Sequence, residues 1–130
     1  MVCLDTDLLV ALLKDDKDAV NRIAQLEAEE KPLKTTAITA YELLKGALLS
    51  SRPEENLASV NNLLSVIQVL TLTNDSCLQA AKTYDDLRRK GQLIGEFDIL
   101  IAAIAISNDE ALMSRDSHFR LIEGLDLRAW

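Results

Sequence analysis

Short apolar runs alternate along the chain with longer stretches whose apolar residues recur at three- and four-residue spacing, the pattern of strands alternating with helices. Val2 to Asp5 reads as a buried strand ending on an acid, and the helix-like run Leu8 to Leu13 follows it. Asp16 to Glu30 predicts an amphipathic helix built on Val20, Ile23, Ala24 and Leu26, stopped by Pro32. Lys34 to Ile38, rich in Thr and Ile, predicts a second strand, with Thr39 as the N-cap of a helix over Ala40 to Ser50. Pro53 opens a further helix carrying Leu57, Val60, Leu63 and Leu64. Val66 to Leu72 predicts a strand, and Thr73 or Asn74 caps a helix through Ala80, Ala81, Tyr84 and Leu87. That helix ends on Arg88, Arg89, Lys90 and Gly91, basic residues and then the glycine that helix C-termini favour. Phe97 to Ser107 predicts a helix apolar on nearly every side, hence buried. Ala111 to Ser114 and Leu125 to Trp130 predict two more strands, the last an edge. Strands alternating with helices imply an α/β fold, a mostly parallel sheet with helices on both faces.

Length and composition narrow this picture. A chain of 130 residues, 48% apolar and 27% charged, suits a single domain over residues 1–130 with a real core. With four Gly and two Pro and no low-complexity run, no linker or repeat divides it. The longest uninterrupted apolar run, Ile99 to Ile106, falls far short of the roughly 20 residues that a membrane-spanning helix needs. The opening residues lack the basic region of a signal peptide. Cys3 and Cys77 make no disulfide framework, and both sit in apolar patterns that predict reduced core thiols. These features together predict a cytoplasmic protein.

A net charge of −7 disfavours a nucleic-acid binder that relies on a broad basic surface. It is compatible with a nuclease whose chemistry needs concentrated carboxylate. Most acids of the chain lie on helix faces that predict simple solvation. Four are placed differently. Asp5 ends the first buried strand, where a carboxylate is costly unless paired, solvated or metal-bound; its structural alternative is the N-cap of the next helix. Glu42 follows the second strand, and Thr39-x-x-Glu42 also fits a capping box. Asp98 lies in the first turn of the most apolar helix, where the helix dipole alone gives about 0.3–1 kcal/mol. Asp116 follows the strand at Ala111, where a turn or cap residue is the alternative. In a parallel α/β sheet the carboxyl ends of the strands and the helix starts after them share one edge, where ligands bind. All four acids are predicted at that edge. Carboxylates gathered there must protonate or share a cation. A set of carboxylate oxygens without His or Cys suits Mg²⁺ or Mn²⁺ rather than Zn²⁺. Either ion activates water and stabilises charge developing on a phosphate oxygen.

The segment Gly91-Gln-Leu-Ile-Gly-Glu-Phe-Asp98-Ile-Leu-Ile-Ala-Ala resembles the central motif of PIN-domain ribonucleases of the VapC toxin type. Leu4-Asp5-Thr6-Asp7 resembles their opening Asp-Thr-Asn, and Tyr41-Glu42-Leu43-Leu44-Lys45-Gly46 their Glu-Leu-x-x-Gly segment. Met113-Ser114-Arg115-Asp116-Ser117-His118-Phe119, followed by Ile122-Glu123-Gly124-Leu125, resembles their closing segment. The four segments span nearly the whole chain in the family's order. The resemblance implies a three-layer α/β/α sandwich and a metal-dependent endoribonuclease. It implies Asp5, Glu42, Asp98 and Asp116 as metal-site and catalytic residues, with Ser114 in support. It also implies an RNA substrate, a homodimer, and a cognate VapB-type antitoxin whose tail blocks the acidic cleft. Asp7 departs from the family, which usually has Asn there, and is left outside the core site.

Among the basic residues, Lys45 lies one turn beyond Glu42, within reach of a phosphate or simply solvated. Arg115 adjoins Asp116. Arg88, Arg89 and Lys90 suit a helix C-terminus. His118, the single histidine, is expected to pack or hydrogen-bond locally. Two other functions fit parts of the pattern. Asp5-Thr6-Asp7 after an apolar strand resembles the nucleophile-x-acid motif of haloacid-dehalogenase-like phosphatases, though their later paired-acid loop is not evident. A catalytically silent module of the same fold is the other alternative.

Overall fold

In the computed structural model, which describes residues 2–130, five strands form one sheet in the order β3-β2-β1-β4-β5. They are β1 (Val2–Leu4), β2 (Leu33–Thr36), β3 (Gln68–Leu70), β4 (Ala111–Met113) and β5 (Leu127–Arg128). Every pairing is parallel, with Cys3 opposite both Lys34 and Leu112. The helices are α1 (Thr6–Leu13), α2 (Lys17–Ala28), α3 (Ala37–Leu48), α4 (Pro53–Ser65), α5 (Asn74–Arg89) and α6 (Glu96–Ser107). A short 3₁₀ turn covers Ser117–Leu121.

The period-two alternation of a strand sorts the central residues into two cores. Val2, Leu4, Ala111 and Met113 face one side of the sheet, where they pack with Leu8 and Leu9 of α1, Ile23 of α2, Leu43 of α3 and Val60 of α4. Cys3 and Leu112 face the other, packed with Leu87 of α5, Ile101 and Ile104 of α6, and Phe119. The result is the expected three-layer α/β/α sandwich, α1–α4 on one face and α5–α6 on the other. Helix α6 is buried along Ile99 and Ile101–Ala105, as its all-round apolarity requires. No helix among the described residues is long and apolar enough to cross a membrane.

Several boundaries differ from the pattern-based expectation, β5 among them, which is Leu127–Arg128 rather than Leu125 to Trp130. Strand β2 stops at Thr36, and Thr36 rather than Thr39 caps α3: its hydroxyl accepts from the Thr39 backbone N–H at 3.1 Å. Thr36 and Thr39 offer two competing cap positions, and β-branched Ile38, which packs on the α5–α6 core, mimics strand continuation. Strand β3 is only Gln68–Leu70, because α4 runs to Ser65 and Val66 is exposed beyond it. Short edge strands at β3 and β5 limit pairing with other chains. Cys77 is exposed on α5, whereas Cys3 is buried, so only one of the two thiols is a core group. Thr73 is the cap of α5, in a reciprocal box with Ser76. Gly91 leaves that helix at φ +67°, as the Lys90-Gly91 ending predicted.

Candidate active site

Parallel strands put their carboxyl ends at one edge, and there β1, β4 and the starts of α1, α3 and α6 enclose a cleft of about 610 Å³. Asp5, Glu42, Asp98 and Asp116 all line it, joined by Asp7, Thr6, Lys14 and Asp16. The four acids singled out from sequence thus meet in space.

Asp5 continues β1, its backbone N–H bonding to the Met113 carbonyl at 3.1 Å, so strand pairing fixes its place. It occupies the N-cap position of α1, yet its side chain makes no capping hydrogen bond. Its Oδ2 instead accepts from the Ser114 hydroxyl at 2.7 Å. Asp5 is only 5% exposed. Burial, aided by the charges of Asp7 and Asp98 and opposed by the Ser114 hydrogen bond, pushes its carboxyl up to about 7. Ser114 is a hub: while donating to Asp5 it accepts from the Asp116 backbone N–H at 3.0 Å. Its hydroxyl also lies 3.2 Å from Asp7.

Glu42 sits on the second turn of α3, one turn later than its capping-box spacing suggested, because α3 starts at Ala37. Thr6 donates to its Oε1 at 2.9 Å and is 3.0 Å from the Thr39 hydroxyl. Thr39 therefore serves the site through Thr6 rather than as a helix cap. Asp98 occupies the first turn of α6. Partial burial raises its pKa, and the charges of Asp116 and Glu42 raise it further. Asp116 is both a turn cap and a cleft residue. It caps the 3₁₀ turn by accepting from the His118 backbone N–H at 2.9 Å, and it lines the cleft.

His118 makes the local contact expected of it, Nδ1 lying 3.1 Å from Asp116 Oδ1, and this places it beside the acids. Asp98, Asp116 and His118 each offer one ligand atom, all within 4.8 Å of one another. The donor set is therefore mainly carboxylate, with one exposed imidazole at its margin. Burial first, and neighbouring carboxylates second, hold Asp5 and Asp98 above the ordinary carboxyl range. A divalent cation held by these oxygens would offset both costs.

Asp7 points into the same cleft but has both oxygens engaged. Oδ2 accepts from the Arg115 backbone N–H at 2.8 Å, and Oδ1 from the Trp130 indole at 3.3 Å. Sequence offered no signal for this, since Trp130 lies far along the chain. The Arg115 side chain is committed elsewhere, to Asp18 at 3.0 Å and to the Trp130 carbonyl at 2.8 Å, with its guanidinium 3.6 Å over the Trp130 ring. Arg89 pairs with Asp85 and Lys90 with Asp86, as a helix C-terminus predicts.

Comparison with known proteins agrees with this geometry. The PIN-domain family model matches residues 2–125. "Ribonuclease VapC1" of Haemophilus influenzae strain R2866 is 30% identical over 129 residues, 98% of this chain and 96% of that protein. "tRNA(fMet)-specific endonuclease VapC" of Salmonella typhimurium is 27% identical over 98% of this chain and 96% of its own length. The structure is similar to a chain of the crystal structure of VapBC2 from Rickettsia felis bound to a DNA fragment from their promoter, with a TM-score of 0.92 at 26% identity, covering 100% of this chain and 99% of the other. It also resembles a chain of VapBC-1 from nontypeable Haemophilus influenzae, with a TM-score of 0.89 at 29% identity. These matches leave the dehalogenase-like reading of Asp5-Thr6-Asp7 without support. The chain belongs to the PIN-domain family, and within it to the VapC type.

Proposed function

We propose that this protein is a cytoplasmic Mg²⁺- or Mn²⁺-dependent endoribonuclease, the toxin of a VapBC-type pair. The observation that carries this reading is the convergence of Asp5, Glu42, Asp98 and Asp116, distant in sequence, on one cleft. In this reading those four residues hold the cation, and it supplies water activation and charge stabilisation at the scissile phosphate. The chain's own groups prepare the site. Ser114 holds Asp5 through its hydroxyl and the Asp116 backbone through its oxygen, so one side chain sets the distance between two of the acids. Thr6 orients Glu42 by donating to it. The N-terminus of α6, beside Asp98, contributes the positive end of a helix dipole to an anion-rich cleft.

The VapBC descriptions of the similar structures support a VapB-type antitoxin as partner. Such a partner inhibits by filling the cleft, and a homodimer belongs to the same reading. The test is cleavage-site mapping on total RNA, comparing the native protein with Asp98→Ala. Discrete new RNA ends with the native protein, absent with the variant, are expected. Ends that persist with Asp98→Ala remove the acids from the mechanism.

A further inference from the structure

Asp116 is the cleft acid with the least regular support. Asp5 continues a paired strand, and Glu42 and Asp98 stand on helices α3 and α6. Asp116 instead lies between β4 and the 3₁₀ turn, outside any strand or helix. Its side chain caps that turn, which holds the residues after it but not Asp116 itself. A side chain that has to meet other ligands within a fraction of an ångström needs locked neighbours.

The lock comes from Trp130, the single tryptophan of the chain. Strand β5 runs parallel to β4 with Arg128 opposite Met113, so Arg115 and Trp130 leave the sheet at the same edge, each two residues past that pair. There they interlock. The Arg115 guanidinium lies 3.6 Å over the Trp130 ring, and its Nε donates to the Trp130 carbonyl at 2.8 Å. Helix α2 braces both: Asp18 accepts from Arg115 Nη2 at 3.0 Å, and Arg22 donates to the Ala129 carbonyl at 3.3 Å. On the cleft side the Trp130 indole donates to Asp7 Oδ1 at 3.3 Å, and the Arg115 backbone N–H to Asp7 Oδ2 at 2.8 Å. Each Asp7 oxygen thus faces an N–H. An asparagine there would offer one acceptor and one donor, and would set an amide N–H against one of them. The carboxylate at position 7 and the indole at position 130 are matched to each other. Trp130 also packs against the core beneath α1–α4. Packing alone needs the ring and not its N–H, which here ends on a carboxylate lining the cleft.

We propose that Trp130 and Arg115 are positioning residues of the acid site: acting through Asp7 and the Arg115 peptide, they fix where Asp116 meets Asp98. Both residues before Asp116 are then held, Ser114 by Asp5 and Arg115 by Asp7, Trp130 and Asp18. Resting on the ribonuclease reading for what the acids do, this assignment adds a clamp from the far end of the sheet order, on which the spacing of the acids depends.

The test combines Mn²⁺ titration calorimetry with amide solvent exchange by NMR, the latter in chelator, on native protein, Trp130→Phe, Asp7→Asn and the double variant. Trp130→Phe keeps a ring under Arg115 and deletes the N–H. It is expected to raise the Mn²⁺ Kd roughly tenfold, as for groups that orient metal ligands. It is also expected to speed exchange of the Asp116 and His118 amides roughly tenfold, with the Leu4 and Leu112 amides and the Tm in chelator nearly unchanged. Asp7→Asn should weaken Mn²⁺ binding by itself, and adding Trp130→Phe should weaken it no further, because both act on one contact. Arg115→Gln, at an exposed position, removes the stack and the Asp18 pair and should speed the same two amides, so the clamp is read even if Trp130→Phe melts early. Unchanged exchange at Asp116 and His118 in these variants overturns the clamp. So does an Mn²⁺ affinity that Trp130→Phe leaves as in the native protein, or additive effects of Asp7→Asn and Trp130→Phe, either of which makes the indole a packing group only. The exchange readout needs no cation, so it decides even where no Mn²⁺ binds. The ribonuclease reading fails separately if the native protein cuts no RNA.

Discussion

Asp5→Asn exchanges one oxygen for an amide at the one cleft acid that is buried, and the amide oxygen can still accept from Ser114. Without a cation, the Asp5 carboxyl is held at about 7 against an ordinary 3.8, chiefly by burial. At about 1.4 kcal/mol per pH unit, that difference is a ceiling of roughly 4 kcal/mol on the cost of ionising it in the folded state. The sign follows from proton counting. Below pH 4 the group is protonated in folded and unfolded chains alike and costs nothing. Between about 4 and 7 the unfolded chain releases the proton while the folded one keeps it, so stability falls as pH rises; above 7 the loss is complete. Asn carries no such charge. In chelator, Asp5→Asn should therefore be more stable than the native protein at pH 8, with Tm higher by roughly 5–15 °C for a chain of this size, and the gain should vanish towards pH 4. Differential scanning calorimetry at both pH values, with CD to verify two-state melting, measures it. RNA cleavage should be lost in the same variant. A variant no more stable than the native protein at pH 8 refutes the reasoning, because burial of an uncompensated charge would then not be what sets Asp5 apart.

Other predictions address the support of the site and the core. Thr6→Val removes the donor to Glu42 Oε1 while keeping shape; Mn²⁺ affinity by calorimetry should fall roughly tenfold, as for other residues that orient metal ligands, with Tm nearly unchanged. Lys34→Met leaves the Glu110 carboxylate, whose Oε2 has no hydrogen-bond partner, buried without its ion pair; urea melts should show a loss of about 3 kcal/mol or more. Cys3, whose thiol burial pushes up to about 12, should resist a thiol reagent in the folded protein, while exposed Cys77 reacts at once; labelling followed by mass spectrometry should find Cys77 alone modified until denaturant is added.

The layer order, the parallel sheet and the edge that gathers the acids were readable because each depends on local pattern: apolar runs of strand length, amphipathic spacing, and acids just past strand ends. What escaped depends on choices between near-equal local options or on distant contacts. Thr36 and Thr39 can each cap α3, and only packing decides, which moved Glu42 to a second turn. Cys77 follows an apolar rhythm, yet its helix turns it outward. Asp7 is tied to Trp130, a contact that leaves no trace in spacing, whereas His118 meets Asp116 in the local contact expected of it, and only its nearness to Asp98 was unforeseen. The departure of Asp7 from the family's usual Asn now has a physical setting: its two oxygens accept from the Arg115 backbone and the Trp130 indole, so it ties α1 to the segment after β4.

Paired measurements of Mn²⁺-induced stabilisation and RNA cleavage on the same samples of native protein and Asp98→Ala test the shared cation most directly. Cleavage absent in chelator, restored by Mn²⁺ in step with a rise in Tm, and both effects lost in Asp98→Ala, is the predicted result. Cleavage that continues in chelator, or a full thermal shift in Asp98→Ala, would contradict a cation held among the cleft's carboxylates.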